Sequence, residues 1–206
     1  MIAAALLLAF APATAVDAER DFAAMAQTKG QWTSFRAFAA PHGVMFTPEV
    51  VNAQEWLVGK KDPPIPVMWW PARSWVSCDG SLAVNTGPWV RAGGKSVGYF
   101  TTVWERQKDG SWKWLLDHGD DLSKPRPAGD EVKPRRAKCG TGTSKPQPTW
   151  HHLALEDGPD NGGGASADES LRWKWQELAG KARRISAEIW TGAGYETILD
   201  ETVAGQ

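Results

Sequence analysis

The sequence predicts an α+β fold, with N-terminal helices packed on an antiparallel sheet and a C-terminal β extension. Three observations predict it. Apolar residues between Asp17 and Pro41 recur at helical spacing. From Val67 to His118, segments rich in Val, Thr and aromatic residues alternate with Asp-Gly and Gly-Gly turns. The last hairpin of that run, Tyr99 to Asp120, is apolar on both faces, so each side of the sheet needs a cover.

The chain opens on an apolar run, Ile2 to Phe10, followed by Ala13-Thr14-Ala15. The run is too short to span a bilayer, and Ala-x-Ala suits a processing site, so residues 1–15 are expected to be an export signal. That places the protein in the periplasm or outside the cell. The n-region lacks Lys and Arg, so an ordinary apolar N-terminus is the alternative. Asp17 is the expected N-cap of the first helix, and Glu19 complements the helix dipole. Phe22, Met25, Ala26 and Lys29 follow helical spacing, Gly30 breaks the helix, and Trp32, Phe35, Phe38 and Ala39 continue the stripe. Val44 to Thr47 is a short strand. Asn52 and Glu55 read as a capping box for a helix over 53–58 ending at Gly59. Lys60 to Pro66 is a proline-rich loop.

Val67 to Cys78 reads as a long strand interrupted near Pro71, turned at Asp79-Gly80. Leu82 to Arg91 returns, and Pro88 argues for an edge or a bulge. After Ala92 to Lys95 the chain enters the hairpin, with Asp109-Gly110 as a two-residue turn. That turn pairs Trp112 with Gln107, Trp114 with Glu105, Leu116 with Val103 and His118 with Thr101. One face then carries Tyr99, Thr101, Val103, Trp112, Trp114, Leu116 and His118, and the other Phe100, Thr102, Trp104, Leu115 and Asp117. A one-residue bulge would swap these assignments. Residues 122–149, with Pro125, Pro127, Pro134, Pro146 and Pro148 among Lys and Arg, read as a linker draped over the surface. Asp160 to Asp168, with three glycines, reads as a flexible loop. Leu171 to Leu178, Arg183 to Trp190 and Tyr195 to Leu199 alternate like short strands, either covering the main sheet or forming a small sheet beside it.

A net charge of −1 over 206 residues gives no sign of a polyanion as the main partner, so no nucleic acid is expected, and no membrane span either. Thirteen tryptophans supply large apolar rings with one N–H each, suited to cores and to pockets. Cys78 and Cys139 match no zinc or redox spacing; in an exported chain they permit one disulfide, the alternative being two free thiols. His151-His152 diverge if extended and have no third ligand nearby, so no metal is expected. No phosphate-binding loop, dinucleotide fingerprint or hydrolase elbow is present, and no cofactor is expected.

Several segments together resemble the SnoaL-like branch of the ketosteroid isomerase and nuclear-transport-factor superfamily. They are Lys29-Gly30 into Trp32-Thr33-Ser34-Phe35, His42 to Phe46, Val51 to Trp56, Asn85 to Trp89, and Val103 to Gln107 with Asp109 to Lys113. The resemblance covers residues 18–121, within a domain read as 17–121; the linker 122–149 and the extension 150–206 lie outside it. It implies a cone-shaped, strongly curved sheet closed by helices over an internal pocket, and frequent homodimers through the sheet's outer face. It fixes no activity. The isomerase's acid base and Tyr–Asp pair do not map, because the first helix carries no tyrosine. Related domains often place a histidine at the end of the last strand, where His118 falls.

The candidate chemistry therefore centres on His118 as an acid or base, partnered by Asp120 if the chain bends at Gly119. Asp117 points to the opposite face and cannot pair with it. Tyr99, Asn85 and Thr101 could offer polar groups to a pocket lined by Trp69, Trp89 and Trp114. The ordinary alternative for each is core packing. The expectation is an exported domain that binds a small apolar molecule, acts as a homodimer and has no assignable catalysis. The alternatives are an isomerase or dehydratase using His118 with Tyr99 and Asn85, and a structural module whose cavity is filled.

Overall fold

A computed structural model describes residues 13–129, 131–140 and 161–205. Helix α1 (Ala15–Lys29) is capped by Thr14, whose hydroxyl accepts the Asp17 N–H at 3.1 Å. Thr14 displaces the expected cap Asp17, which instead accepts the Thr14 hydroxyl at 2.7 Å. Residues 1–12 of the expected export signal lie outside the described residues. Ala15 and Val16 are buried, and the Ala15 carbonyl accepts from Asn85, so a cut after Ala15 would remove a cap and a core contact. Gly30, at φ 110°, breaks the helix as expected, and α2 (Gln31–Phe38) follows. A Cβ on Gly30 would meet the Asp62 carboxylate, which accepts the Thr33 N–H at 2.9 Å in the first turn of α2. The position requires glycine twice over, for conformation and for space.

The main sheet holds β1 (Ala39–Phe46), β2 (Val50–Asn52), β3 (Met68–Trp69), β4 (Arg73–Val76), β5 (Leu82–Arg91), β6 (Ser96–Arg106), β7 (Trp112–Leu122) and β8 (Arg135–Arg136). Its order is β2-β1-β7-β6-β5-β4-β8, with β3 also beside β5. The curved sheet is mixed rather than antiparallel throughout, because β1–β7 and β4–β8 run parallel. Between β2 and β3 the one-turn helix α3 (Ala53–Trp56) is shorter than the expected 53–58, and Asn52 caps it by accepting the Glu55 N–H.

The central hairpin pairs Thr101 with His118 and Val103 with Leu116, but Trp104 with Trp114 and Arg106 with Trp112. Two departures from the expected register cancel. The turn is one residue longer, with Gly110 donating its N–H to the Gln107 carbonyl and sitting at φ 85°. A bulge at Leu115 then restores the offset. Between turn and bulge the faces are exchanged, so Trp112 and Trp114 lie on the helix side with Trp104.

Both faces are covered. On the inner face, Phe22 and Ala26 of α1 pack with Trp69, Trp104, Trp112 and Trp114. On the outer face lies a second sheet, ordered β12-β11-β10-β9: β9 (Asn161–Ala165), β10 (Leu171–Glu177), β11 (Arg183–Trp190) and β12 (Tyr195–Val203). Leu171, Trp173, Ile185 and Ile189 from it share one core with Val84, Val103 and Leu116. The glycine run expected as a loop is strand β9. Gly162 faces Trp175, whose ring fills the space a Cβ would need, so the glycines give the indoles room. This sheet occupies the outer face through which the resemblance implies homodimers; pairing two chains there requires its displacement. Leu171→Ala, at a fully buried position of the shared core, is expected to cost about 3 kcal/mol. A denaturant midpoint unchanged from wild type would contradict that interface.

Matching turns join the two sheets, and a disulfide within the main sheet lies beside them. Ser77-x-Asp79-x-Ser81 leads into β5 and Ser166-x-Asp168-x-Ser170 into β10, and in each the aspartate accepts from both flanking serines. The Asp79 N–H donates to the Asp168 carboxylate at 3.0 Å, and the Asp168 N–H donates back at 3.2 Å. Cys78 and Cys139 form a disulfide, with Cα atoms 5.2 Å apart. No described helix is long and apolar enough to cross a membrane. His151 and His152 lie outside the described residues.

Candidate functional site

A cavity of about 390 Å³ opens between α2, the end of β1, β3 and the far ends of β5–β7. Trp32, Phe35, Trp69, Trp89 and Phe100 supply aromatic rings to its wall. Glycines let these rings lie against the sheet. A Cβ on Gly98 would fall 2.2 Å from the Trp89 ring, and Phe100 is flanked across the strands by Gly87 and Gly119. The charged residues bordering the cavity are Arg91, Asp117, Asp120, Asp121 and Arg183.

Asp117 reaches the cavity by alternation on β7. It ends a polar row, Ser74–Asn85–Thr102–Asp117, that crosses β4, β5, β6 and β7. Thr102 donates its hydroxyl to Asp117 at 3.3 Å. Burial pushes the Asp117 carboxyl well above the usual range; the nearby Glu19 charge adds to that, and the Thr102 bond opposes it. Asp117 is thus a half-buried acid on an apolar wall, inclined to hold its proton.

Glu19 lies under the same row. It is 0 % exposed and reaches the sheet from the inward stripe of α1. It accepts the indole N–H of Trp104 at 2.7 Å and of Trp69 at 2.9 Å, and the Asn85 amide at 3.3 Å. Burial raises its pKa to about 7 against these bonds. The inside of the cone therefore holds two carboxyls, one at the cavity wall and one behind Trp69.

His118 belongs to the other face. Its side chain is 0 % exposed, wedged between the sheets. Nε2 lies 3.3 Å from Glu201 on β12, and Nδ1 accepts from the Arg183 Nε at 3.4 Å. These partners suit a neutral ring with its proton on Nε2. Burial depresses its pKa, with Glu201 opposing. Burial would raise Glu201, but bonds from His118, Thr101 and Arg126 win and hold it below the usual range. Arg126 reaches Glu201 at 2.8 Å and stacks on Tyr99 at 3.7 Å. The cluster bolts the second sheet to the first.

The expected site residues divide accordingly. Trp69 and Trp89 line the cavity. Asn85 is fully buried behind it, with its side-chain oxygen lacking a hydrogen-bond partner. Trp114 is a core residue, moved inward by the Leu115 bulge and packed on Phe35 at 6.0 Å. Tyr99, Thr101 and His118 lie between the sheets, where the Tyr99 hydroxyl is 3.5 Å from His118 Nε2 and His118 also borders the cavity; Asn85 sits on the opposite face, so the three do not converge. Thr101 donates to Glu201 rather than to His118. Asp120 borders the cavity, but the carboxylate beside His118 is Glu201. The sequence alone assigns Asp117 to the opposite strand face and Glu19 to the helix dipole, and places neither in the site. Glu19 was detectable as a charge three residues before Phe22 and seven before Ala26, inside an apolar stripe. Asp117 was detectable as the acid among Phe100, Thr102 and Trp104. Glu201 and Arg183 lie too far along the chain for any local signal. Among the described residues no group of three or more His, Cys, Asp or Glu is placed to hold a metal ion.

No family model and no curated protein matches the chain. Among solved structures it is similar to an NTF-2-like protein from Shewanella oneidensis, at 18% identity and TM-score 0.41 over 50% of this chain and 93% of that one. It is similar to a ketosteroid isomerase-like protein from Erwinia carotovora atroseptica, at 12% identity and TM-score 0.37 over 53% and 95%. It is also similar to a cystatin-like fold protein from Burkholderia xenovorans, at 15% identity and TM-score 0.39 over 53% and 91%.

Proposed function

We propose that this chain binds a small, largely apolar ring compound in the aromatic cavity, with Asp117 meeting its polar group. The observation that carries this is a cavity of about 390 Å³ walled by Trp69, Trp89 and Phe100, with the Asp117 carboxyl, pushed above its usual range by burial, in its wall. Such an acid favours a hydrogen-bond acceptor, such as a carbonyl, over a cation. The open cavity weighs against the filled structural module. The Cys78–Cys139 bridge supports an exported, oxidising location.

Native mass spectrometry of the purified protein tests the reading by looking for a retained small molecule. Titration with 2-naphthamide, followed by quenching of tryptophan fluorescence, tests it directly. Trp89→Ala is expected to weaken that binding about tenfold through lost apolar contact. Absence of both a retained compound and probe binding would remove the proposal.

A second reading, proton transfer on a carbonyl compound, is favoured by Asp117 rather than His118. The Asp117 carboxyl is reachable from the cavity, and its raised pKa brings it toward the range of a useful acid or base. The expected result is faster exchange of the α-protons of 2-tetralone in D₂O with wild-type protein than with Asp117→Asn. Equal rates would leave the chain a binding protein alone.

A further inference from the structure

We propose that the C-terminal sheet completes the cavity as an anion subsite, in which Arg183, aided by Arg91, selects apolar ring compounds carrying a carboxylate or similar anionic group. The proposal rests on the cavity being the binding site.

Arg183 begins β11, outside the helix-and-sheet cone, yet it borders the cavity. It also borders an adjoining pocket of about 140 Å³ beside Phe46, Pro48 and Lys181. Its guanidinium is fixed in place. Nη2 donates to the Gly119 carbonyl at 2.9 Å, Nε donates to His118 at 3.4 Å, and the group lies 4.9 Å from the Phe46 ring centroid. What it lacks is a counter-ion. Among the described residues no carboxylate lies within 4.0 Å of it, although Arg126 and Arg172, also on the partly buried surface, both have one. A half-buried cation without a contacting anion is an electrostatic cost that a ligand anion would relieve, and a guanidinium can meet a carboxylate with two parallel bonds. Arg91, exposed and stacked 5.0 Å from the Trp89 ring centroid, adds a second cation on an aromatic wall.

Asp120 and Asp121 border the same cavity and set the limit of this attraction. Asp120 influences Arg183 electrostatically without contacting it, and its Oδ1 accepts the Asp121 N–H at 2.9 Å. A ligand carboxylate therefore competes with Asp120 for Arg183, which gives the test a second variant.

The probes are 2-naphthoate and its uncharged counterpart 2-naphthamide, titrated against the full chain at pH 8. Wild type is expected to bind the carboxylate about tenfold more tightly, the size of one charge-assisted bond. Arg183→Met is expected to abolish that preference while leaving the naphthamide affinity unchanged. Because Arg183 also ties the sheets, that variant could unfold; Asp120→Asn, away from the core, is expected to strengthen naphthoate binding alone. Equal wild-type affinity for both probes, equal loss of both in Arg183→Met, or no change in Asp120→Asn would overturn the anion subsite while leaving the cavity reading intact. Failure of both probes to bind wild type would overturn both.

Discussion

Replacing Glu19 with alanine is expected to cost about 4 kcal/mol, enough to leave a marginal domain unfolded. The side chain is the acceptor for Trp69, Trp104 and Asn85, which join α1 to β3, β5 and β6. Truncation would orphan two buried indole N–H groups at about 1–3 kcal/mol each and open a void in the core. Glu19→Gln keeps the volume but replaces one acceptor with a donor, so it is expected to fall between wild type and Glu19→Ala. The two variants also differ from wild type in pH dependence. Glu19 has a folded pKa of about 7 against an ordinary 4.5, so the folded state binds more protons than the unfolded state between those values. Stability is therefore fully present below pH 4.5 and falls as pH rises toward 7, by about 3 kcal/mol from this group. Asp117, also raised, adds a slope of the same sign, whereas His118, depressed by burial, opposes it below about pH 6.5. Urea midpoints measured from pH 5 to 8 should decline in wild type and decline less in Glu19→Gln. A wild-type midpoint whose pH dependence is the same as that of Glu19→Gln would refute the assignment of Glu19 as a proton-holding core acid.

This acid shows how far local reasoning reaches. Strand alternation located the hairpin's His118–Thr101 pair and separated Asp117 from His118, both of which follow from sterics acting over two residues. It misassigned Trp112 and Trp114, because one extra residue in the turn and one in the bulge cancel at Leu116 and leave no trace further along the strand. Glu19 was read by its distance from the helix end, where a carboxylate suits the dipole, while its place on the apolar stripe carried the greater consequence. The glycines of β9 read as a loop from composition; they form a strand because Trp173 and Trp175, in the neighbouring strand, fill the space their missing side chains leave. His118 drew attention as a titratable group near two acids. Its chemistry was decided by Glu201 and Arg183, brought from 83 and 65 residues away by the second sheet. Spacing along a chain reports neighbours within an element, and the cover over an apolar face is a tertiary fact.

The Cys78–Cys139 bridge makes a second large effect testable. It closes a loop of sequence separation 61, for which chain entropy assigns a stabilisation of about 4 kcal/mol. The bridge lies where it can act on both sheets. On one side Cys78 follows β4 and donates its N–H to Ser170 at the start of β10. On the other, the segment around Cys139 pairs as β8 with β4, buries Ala137, and sends the Lys138 N–H to the Trp190 carbonyl of β11. Removing the bond in Cys78→Ser/Cys139→Ser is thus expected to lower the melting temperature by about 12 °C, at roughly 3 °C per kcal/mol for a chain of this size. The effect should be uneven. Hydrogen exchange is expected to quicken first at Ala137 and Lys138, whose N–H bonds depend on the tether, while the inner core of Phe22, Trp104 and Trp114 keeps its protection. Binding of 2-naphthamide should survive, because neither cysteine borders the cavity. A shift below about 3 °C would mean that β8 and the paired Asp79 and Asp168 turns hold the segment without the bond, and that the entropy of the open loop is already limited by contacts made before the sheets dock.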